Sequence, residues 1–285
     1  MGPCPVGHTE LKVGWAHGIC RQTGYVNADG RDFELMHTTT RPLRLLAGFL
    51  LPAMLLVGCG SDQDADPATE PPEAPQQLMP PAAADHPETT EGVPIAELAD
   101  PDWVEEVASE HAIPRRAMAA YAGAALRMAE THPECNMGWN TLAGVGSVEG
   151  SHASIGDAGL DAADVAQPNI IGPVLDGSEG VMAVEDTDNG ELDGDDEWDR
   201  AVGPMQFLPE TWQRYATDGD QDGQTDPQQI DDAVLTAAVY LCDSSEDLTD
   251  DDMWVAAITT YNQSMAYARD VAATAASFES NEHTS

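Results

Sequence analysis

From residue 61 to about 91 the chain is built from Asp, Glu, Pro, Ala, Gln and Thr with almost no aliphatic side chains. Such a stretch cannot bury enough apolar surface to offset the entropy of ordering it. This segment divides the 285-residue chain. Whatever forms a core must lie downstream, in 94–279, and what lies upstream reads as targeting. The tract 59–93 is expected to be a disordered acidic tether whose prolines favour an extended path. Residues 280–285 read as a flexible tail.

Upstream, Arg41 and Arg44 precede an apolar run over 45–57 that is short for a membrane-spanning helix and is interrupted by Pro52. The sequence Leu56-Val57-Gly58-Cys59 that follows resembles a bacterial lipobox. On that reading 36–58 is a lipoprotein signal peptide and Cys59 is the lipidated residue, anchored at the outer face of the cytoplasmic membrane. A plain cleaved signal or a short anchor helix is the alternative. A signal sequence should open its chain, so translation is expected to begin at Met36, with 1–35 upstream of the native start. Cys4 and Cys20 then drop out, leaving Cys135 and Cys242 as the pair in an oxidising compartment, either as a disulfide or as two buried thiols.

The charge balance excludes one class of partner. Against 51 Asp and Glu stand 11 Lys and Arg. After Cys59 the basic residues are Arg115, Arg116, Arg127, Arg200, Arg214 and Arg269, with no lysine. Nucleic acid is therefore not an expected partner. So anionic a surface works best where salt screens it or divalent cations bind it.

The folded part reads as mainly α. Asp100-Pro101 supplies an N-cap and first-turn proline, and Ile113-Pro114 opens a second helix. A third is predicted over 136–148, with Glu149-Gly150 at its end. A long acidic, Gly-rich insertion follows. Pro209 then starts a short helix, Val234, Ala237, Ala238 and Leu241 mark an apolar face, and two more helices span 253–261 and 265–278. No run of alternating strands is evident.

Three segments carry chemistry: Glu149 within Gly144-Val-Gly-Ser-Val-Glu-Gly-Ser-His152, then Gly203-Pro204-Met205-Gln206-Phe207, then Tyr261-Asn262 with Tyr267 beyond. Glu149 follows Val145 and Val148 in a stretch poor in polar groups. Such surroundings disfavour a charged carboxylate and suit a carboxyl that donates a proton near neutrality.

The order and spacing of these motifs resemble the lytic transglycosylases, nearest the membrane-bound lytic transglycosylase B group in its actinobacterial form, over roughly 95–279. The resemblance implies a goose-lysozyme-like, SLT-type helical domain acting as a monomer on peptidoglycan glycan strands. It implies cleavage between N-acetylmuramic acid and N-acetylglucosamine, with Glu149 as sole acid and base and a 1,6-anhydro product. It makes Met205, Gln206 and Phe207 the lining of the saccharide cleft, sets Tyr261 near the acid, and adds Asn262 and Tyr267 to the substrate site. Relatives commonly carry Ser or Thr directly after the acid, whereas this chain has Gly150 and then Ser151, so the hydroxyl is displaced. No partner carboxylate of the usual glycosidase pair is matched by motif, which suits substrate assistance. A hydrolytic muramidase on the same fold, and a non-catalytic wall-binding lipoprotein, are the alternatives.

Asp218, Asp220, Asp222, Gln224 and Asp226 alternate around Gly223 in the manner of an EF-hand loop, with Gln229 where a bidentate Glu is usual. A structural Ca2+ is expected there, held by Asp218, Asp220, Asp222, the Gln224 carbonyl and Asp226 or Asp231. A solvated acidic turn is the alternative. The cluster of Asp186, Asp188, Asp193, Asp195 and Asp196 lacks that register and reads as a solvated insertion. No organic cofactor is expected.

Overall fold

Prolines and side-chain caps set the helix starts. The computed structural model describes residues 70–86, 88–178 and 181–279. The upstream segment 1–35, the signal segment 36–58, Cys59 with the tether up to residue 69, and the tail 280–285 lie outside the described residues. Among the described residues there are seven α-helices: α1 Pro101–Glu110, α2 Arg115–Thr131, α3 Trp139–Gly150, α4 Pro209–Tyr215, α5 Ile230–Ser244, α6 Asp251–Tyr261 and α7 Met265–Ser277. None of them is long and apolar enough to cross a membrane. The Asp100 carboxylate accepts from the N–H groups of Asp102 and Trp103 at 3.0 Å and so caps α1. Asp250 and Gln229 do the same for α6 and α5. Each cap satisfies donors that the first turn of a helix leaves without partners.

The core forms where α2 lies between its neighbours. Its central run, from Ala117 through Ala125, is buried on every side. Small side chains let α1, α3 and α5 close on it, and Gly123 meets the Ile95 carbonyl where no Cβ would fit. α3 packs in turn on α7. Trp139, at the start of α3, stacks against Trp103 and Phe278 at 5.8 and 5.3 Å between ring centroids. The fully buried Trp254 donates its indole N–H to Thr141 at 3.3 Å.

Two sequence expectations shift. α3 starts at Trp139 rather than 136, because a 3-10 turn over Pro133–Cys135 is followed by Asn136 in the left-handed region at φ 51°. Order also begins well before Ile95. Residues 74–83, assigned to the tether, form a strap against the helices. Asn140 reaches back to accept the Leu78 N–H at 2.9 Å and donate to the Gln76 carbonyl at 2.9 Å. Gln77 and the Leu78 carbonyl accept the N–H groups of Gly138 and Trp139. The N-cap of α3 is Gly138, which has no side chain to cap with, so the strap supplies the missing acceptors. Farther on, Arg127 holds the Thr90 and Val93 carbonyls at 2.6 Å and Glu130 accepts from Thr89 and Thr90.

Cys135 and Cys242 form a disulfide, Cα atoms 5.5 Å apart, across a sequence separation of 107. A closed loop of that length restricts the unfolded chain by on the order of 4–5 kcal/mol in the chain-entropy description. The bond ties the turn before α3 to the end of α5.

Between α3 and α4 the chain has little regular structure. Gly159–Leu160 pairs antiparallel with Ala166–Gln167, the one two-stranded sheet among the described residues. Beyond it, 171–175, 183–187 and 197–202 run alongside one another through isolated backbone bonds, including Gly172 N–H to the Ala201 carbonyl at 2.7 Å. This ladder delivers the chain to Gly203.

Candidate active site

Two backbone approaches fix the end of α3. A Cβ on Gly150 would collide with the Pro204 carbonyl, so glycine lets the 203–207 loop lie directly on the last turn of the helix. A Cβ on Gly146 would collide with the Tyr121 hydroxyl. Gly150 therefore has a physical reason to follow the acid. Glu149, one residue earlier, is held at 5 % exposure in the angle between helix and loop.

After Gly150, Ser151, His152 and Ala153 all take positive φ, at 48°, 57° and 65°. A left-handed turn of three non-glycine residues costs on the order of 1–3 kcal/mol per residue. Offsetting it, the His152 N–H bonds the Gly146 carbonyl at 2.9 Å and the Ser154 N–H bonds the Gly150 carbonyl at 3.1 Å. The turn also presents the His152 ring to Tyr121, Nδ1 3.1 Å from the hydroxyl. Burial pushes the His152 pKa down to about 4 and the Tyr121 pKa well up. Ser151 lies exposed at the C-cap.

The 203–207 loop does a different job from the one the sequence suggests. Met205 and Phe207 are 0 % and 2 % exposed, so neither offers side-chain surface to a sugar. Phe207 instead anchors an aromatic cluster with Trp212 at 5.5 Å and Tyr261 at 5.6 Å. The Met205 carbonyl accepts from the Tyr261 hydroxyl at 2.7 Å. Gln206, at φ 50°, is nearly buried and donates its amide back to the Gly203 carbonyl at 3.0 Å. Gly203 in turn sits where a Cβ would meet the Pro227 carbonyl.

Tyr261 and Tyr267 come from the end of α6 and the first turn of α7. Burial first, and the Glu149 carboxylate next, push both phenol pKa values well above their ordinary range. The Tyr267 hydroxyl is buried and turned to Glu149, whose carboxyl is within its hydrogen-bonding reach. Asn262 stands in the turn between the helices, where its Oδ1 accepts from the Ser264 N–H at 3.1 Å. Tyr240 extends the cluster, 5.7 Å from Tyr261 and 4.8 Å from Tyr215. His152 closes the motif segment that carries Glu149, whereas Tyr121 and Tyr240 carry no motif signal.

In the loop after α4, Asp218, Asp220 and Asp222 bring carboxylate oxygens within 4.8 Å of one another. One Asp218 oxygen is buried without a partner. Asp226 accepts from the Gln228 N–H at 2.8 Å, and the exposed Gln224 donates its N–H to Asp222 at 2.7 Å. Asp231 is not part of this cluster. It turns away into a paired contact with Arg116 at 2.8 and 2.6 Å, and Arg116 also holds Asp164 at 2.8 Å. The neighbouring Asp232 closes the loop from inside, accepting from Gly219 at 2.7 Å and Asp226 at 2.8 Å, and its burial pushes the carboxyl up to about 7. All-oxygen donors of this kind suit a hard cation such as Ca2+.

A mainly helical domain that buries a carboxyl at a helix end, faced by tyrosines, has the parts of a glycan-cleaving enzyme of the lysozyme type. Residues 181–255 match the family described as transglycosylase SLT domain. That match supports the lytic transglycosylase family and its lysozyme-like fold, and with them an extracytoplasmic enzyme acting on peptidoglycan. It takes in the 203–207 loop and the 218–226 loop but stops short of Glu149 on one side and Tyr261 on the other. No curated protein and no solved structure gives a significant match.

The His152 shift sets a pH dependence. The unfolded side chain, with its ordinary pKa near 6.5, binds a proton that the folded one refuses until about pH 4. Stability is therefore full above about 6.5 and is lost as the pH falls toward 4. Urea unfolding at pH 7 and pH 4.5 is expected to show His152→Gln losing on the order of 2 kcal/mol less than wild type between the two. Equal losses would remove His152 as a source of acid sensitivity.

Proposed function

We propose that Glu149 is the single general acid and base of a lytic transglycosylase cleaving the β-1,4 bond between N-acetylmuramic acid and N-acetylglucosamine, in the manner of the B-like actinobacterial enzymes. What supports this is a carboxyl held at 5 % exposure, where burial works against the charged form, with the buried Tyr267 phenol turned to it and the partly buried Tyr261 close enough to feel its charge. In the first step Glu149 protonates the glycosidic oxygen and the bond from that oxygen to C1 breaks, with the sugar's acetamido group sharing the charge at C1. The resulting carboxylate then takes the proton of the muramyl C6 hydroxyl as its oxygen bonds to C1. The product is a 1,6-anhydro ring, no water is consumed, and Glu149 regains its proton.

Tyr267 and Tyr261 serve this cycle as neutral groups. Their raised pKa values keep the phenols protonated throughout; Tyr267 can orient Glu149 without adding charge, while Tyr261 donates its hydroxyl to the Met205 carbonyl. Digestion of purified peptidoglycan followed by mass spectrometry is expected to release anhydro-muropeptides with wild type and to fall on the order of 100- to 10,000-fold with Glu149→Gln. Products heavier by one water would instead mark a hydrolytic muramidase. Equal release by both proteins would refute Glu149 as the acid, and release by neither would leave a wall-binding lipoprotein without catalysis.

The loop 218–226 would hold Ca2+ through Asp218, Asp220, Asp222 and the Gln224 carbonyl, with Asp226 beside them. The ion's contribution would be to hold the loop. Since Pro227 packs on Gly203, a fixed loop also fixes the segment over Gly150. Adding Ca2+ to chelator-treated protein should raise Tm by on the order of 5 °C at saturating ion, and Asp220→Asn should abolish most of that shift. A Tm indifferent to Ca2+ would count against the site.

A lipid on Cys59 would place this domain at the outer face of the membrane, within tether reach of the wall. Cys59→Ser is expected to move the protein from the membrane to the soluble fraction; retention in the membrane would refute the anchor.

A further inference from the structure

The insertion before Gly203 contains charges that no protein group answers. Asp186, Asp188 and Asp199 bring oxygen atoms within 4.8 Å of one another. Asp199 is 0 % and Asp188 5 % exposed. The Oδ1 of Asp188, a member of this cluster, is buried without any hydrogen-bond partner among the described residues. The other Asp188 oxygen accepts from the Leu192 N–H at 2.8 Å. Asp199 accepts from the N–H and hydroxyl of Thr187 at 2.9 and 2.8 Å. Asp186 accepts from the N–H groups of Asn189 and Gly190, each at 3.0 Å. These contacts orient the carboxylates but bring no positive charge.

The basic residue of the insertion does not supply it either. Arg200 pairs its guanidinium with Asp195 at 3.1 Å and donates its backbone N–H to Asp193. None of the ion pairs among the described residues involves Asp188 or Asp199. Buried carboxylates without a cation are costly unless they bind a proton, accept enough hydrogen bonds or coordinate a metal.

We propose that Asp186, Asp188 and Asp199 form a second divalent-cation site, taking Ca2+, independent of the loop 218–226. The two buried residues come from segments paired by backbone bonds across the insertion, so one ion fastens both ends of it. The donors are all oxygen, which excludes soft-ligand metals. They sit on an irregular loop rather than in a rigid octahedral frame, which favours Ca2+ over Mg2+. The sequence hid the site because Asp199, the member that closes it, lies outside the acidic run, beyond Trp198. The consequence for the enzyme is mechanical. Asp199 stands a few residues upstream of Gly203, and the Ala201 carbonyl accepts from Gly172, so ion binding here braces the strand that carries the chain onto α3.

The test is calcium stoichiometry of the chain from Cys59 onward, made without its lipid and chelated before CaCl2 is returned, read by native mass spectrometry. Wild type is expected to bind two ions. Asp218→Asn/Asp220→Asn/Asp222→Asn should keep one, and adding Asp188→Asn/Asp199→Asn should leave none. Should any variant lose its helical circular dichroism, hydrogen exchange of the wild type decides. Ca2+ is then expected to slow exchange in both 186–200 and 218–232. A single bound ion with protection confined to 218–232 overturns the proposal and assigns the buried pair a shared proton. Protection confined to 186–200 supports it while removing the other loop's site.

Discussion

The contact between the Pro204 carbonyl and the bare Cα of Gly150 is the constraint on which the site depends. A helix ending in a residue with a side chain would hold the 203–207 loop off by the width of a methyl group. Glu149 would then be open to water, and its neighbours would lose their register. The approach is reinforced from the other side, because Gly203 is itself pressed against the Pro227 carbonyl and Tyr261 bonds the Met205 carbonyl. Three segments distant in sequence thus meet through backbone atoms, whose positions vary less than those of long side chains. The displaced hydroxyl after the acid is a consequence of this packing. Glycine is needed at 150, so serine falls at 151, in a left-handed position facing solvent.

The acidic composition and the site are connected through the same loop. An excess of carboxylates is tolerable on a surface, where water and salt screen it, but costly where it is buried. The chain buries several and answers them in different ways. Asp231 receives Arg116, Asp232 receives backbone N–H groups, and Asp188 and Asp199 receive no cation from the protein. The two clusters that present carboxylates without a basic partner flank the 203–207 loop in sequence. Cations at these places would act on the position of Gly203 and Pro204, and through them on Glu149, without touching the sugar.

The helices were legible in the sequence because their signals are local. Asp100-Pro101, Pro114 and Pro209 mark starts through the geometry of proline and the reach of one side chain, and a 3.6-residue apolar period marks α5. The segments that carry Glu149, Gly203 and Tyr261 were legible from motif order. What was not legible depends on contacts between distant segments. Residues 74–83 look disordered by composition, and they are held because Gly138 leaves the start of α3 without a cap and Asn140 reaches back to Gln76 and Leu78. Met205 and Phe207 look like cleft lining by motif, but the loop's useful surface is its backbone. Asp231 and Asp232 are indistinguishable as letters. Helical rotation of about 100° per residue sends one to Arg116 and the other into the loop.

The same reasoning separates the parts of the site that must be rigid from those that must stay uncharged. Rigidity comes from glycines, backbone acceptors and the aromatic cluster around Phe207, none of which titrates near neutrality. Neutrality comes from burial, which keeps Tyr261 and Tyr267 protonated beside Glu149 and keeps His152 unprotonated against Tyr121 in the turn after α3. A cationic His152 close to the end of α3 would favour the charged form of nearby acids; a neutral one does not. An acid that must give up a proton and then recover it needs surroundings that change little between the two states. Groups that hold their protonation state are packed around Glu149, and that meets the requirement for the acid and base proposed above.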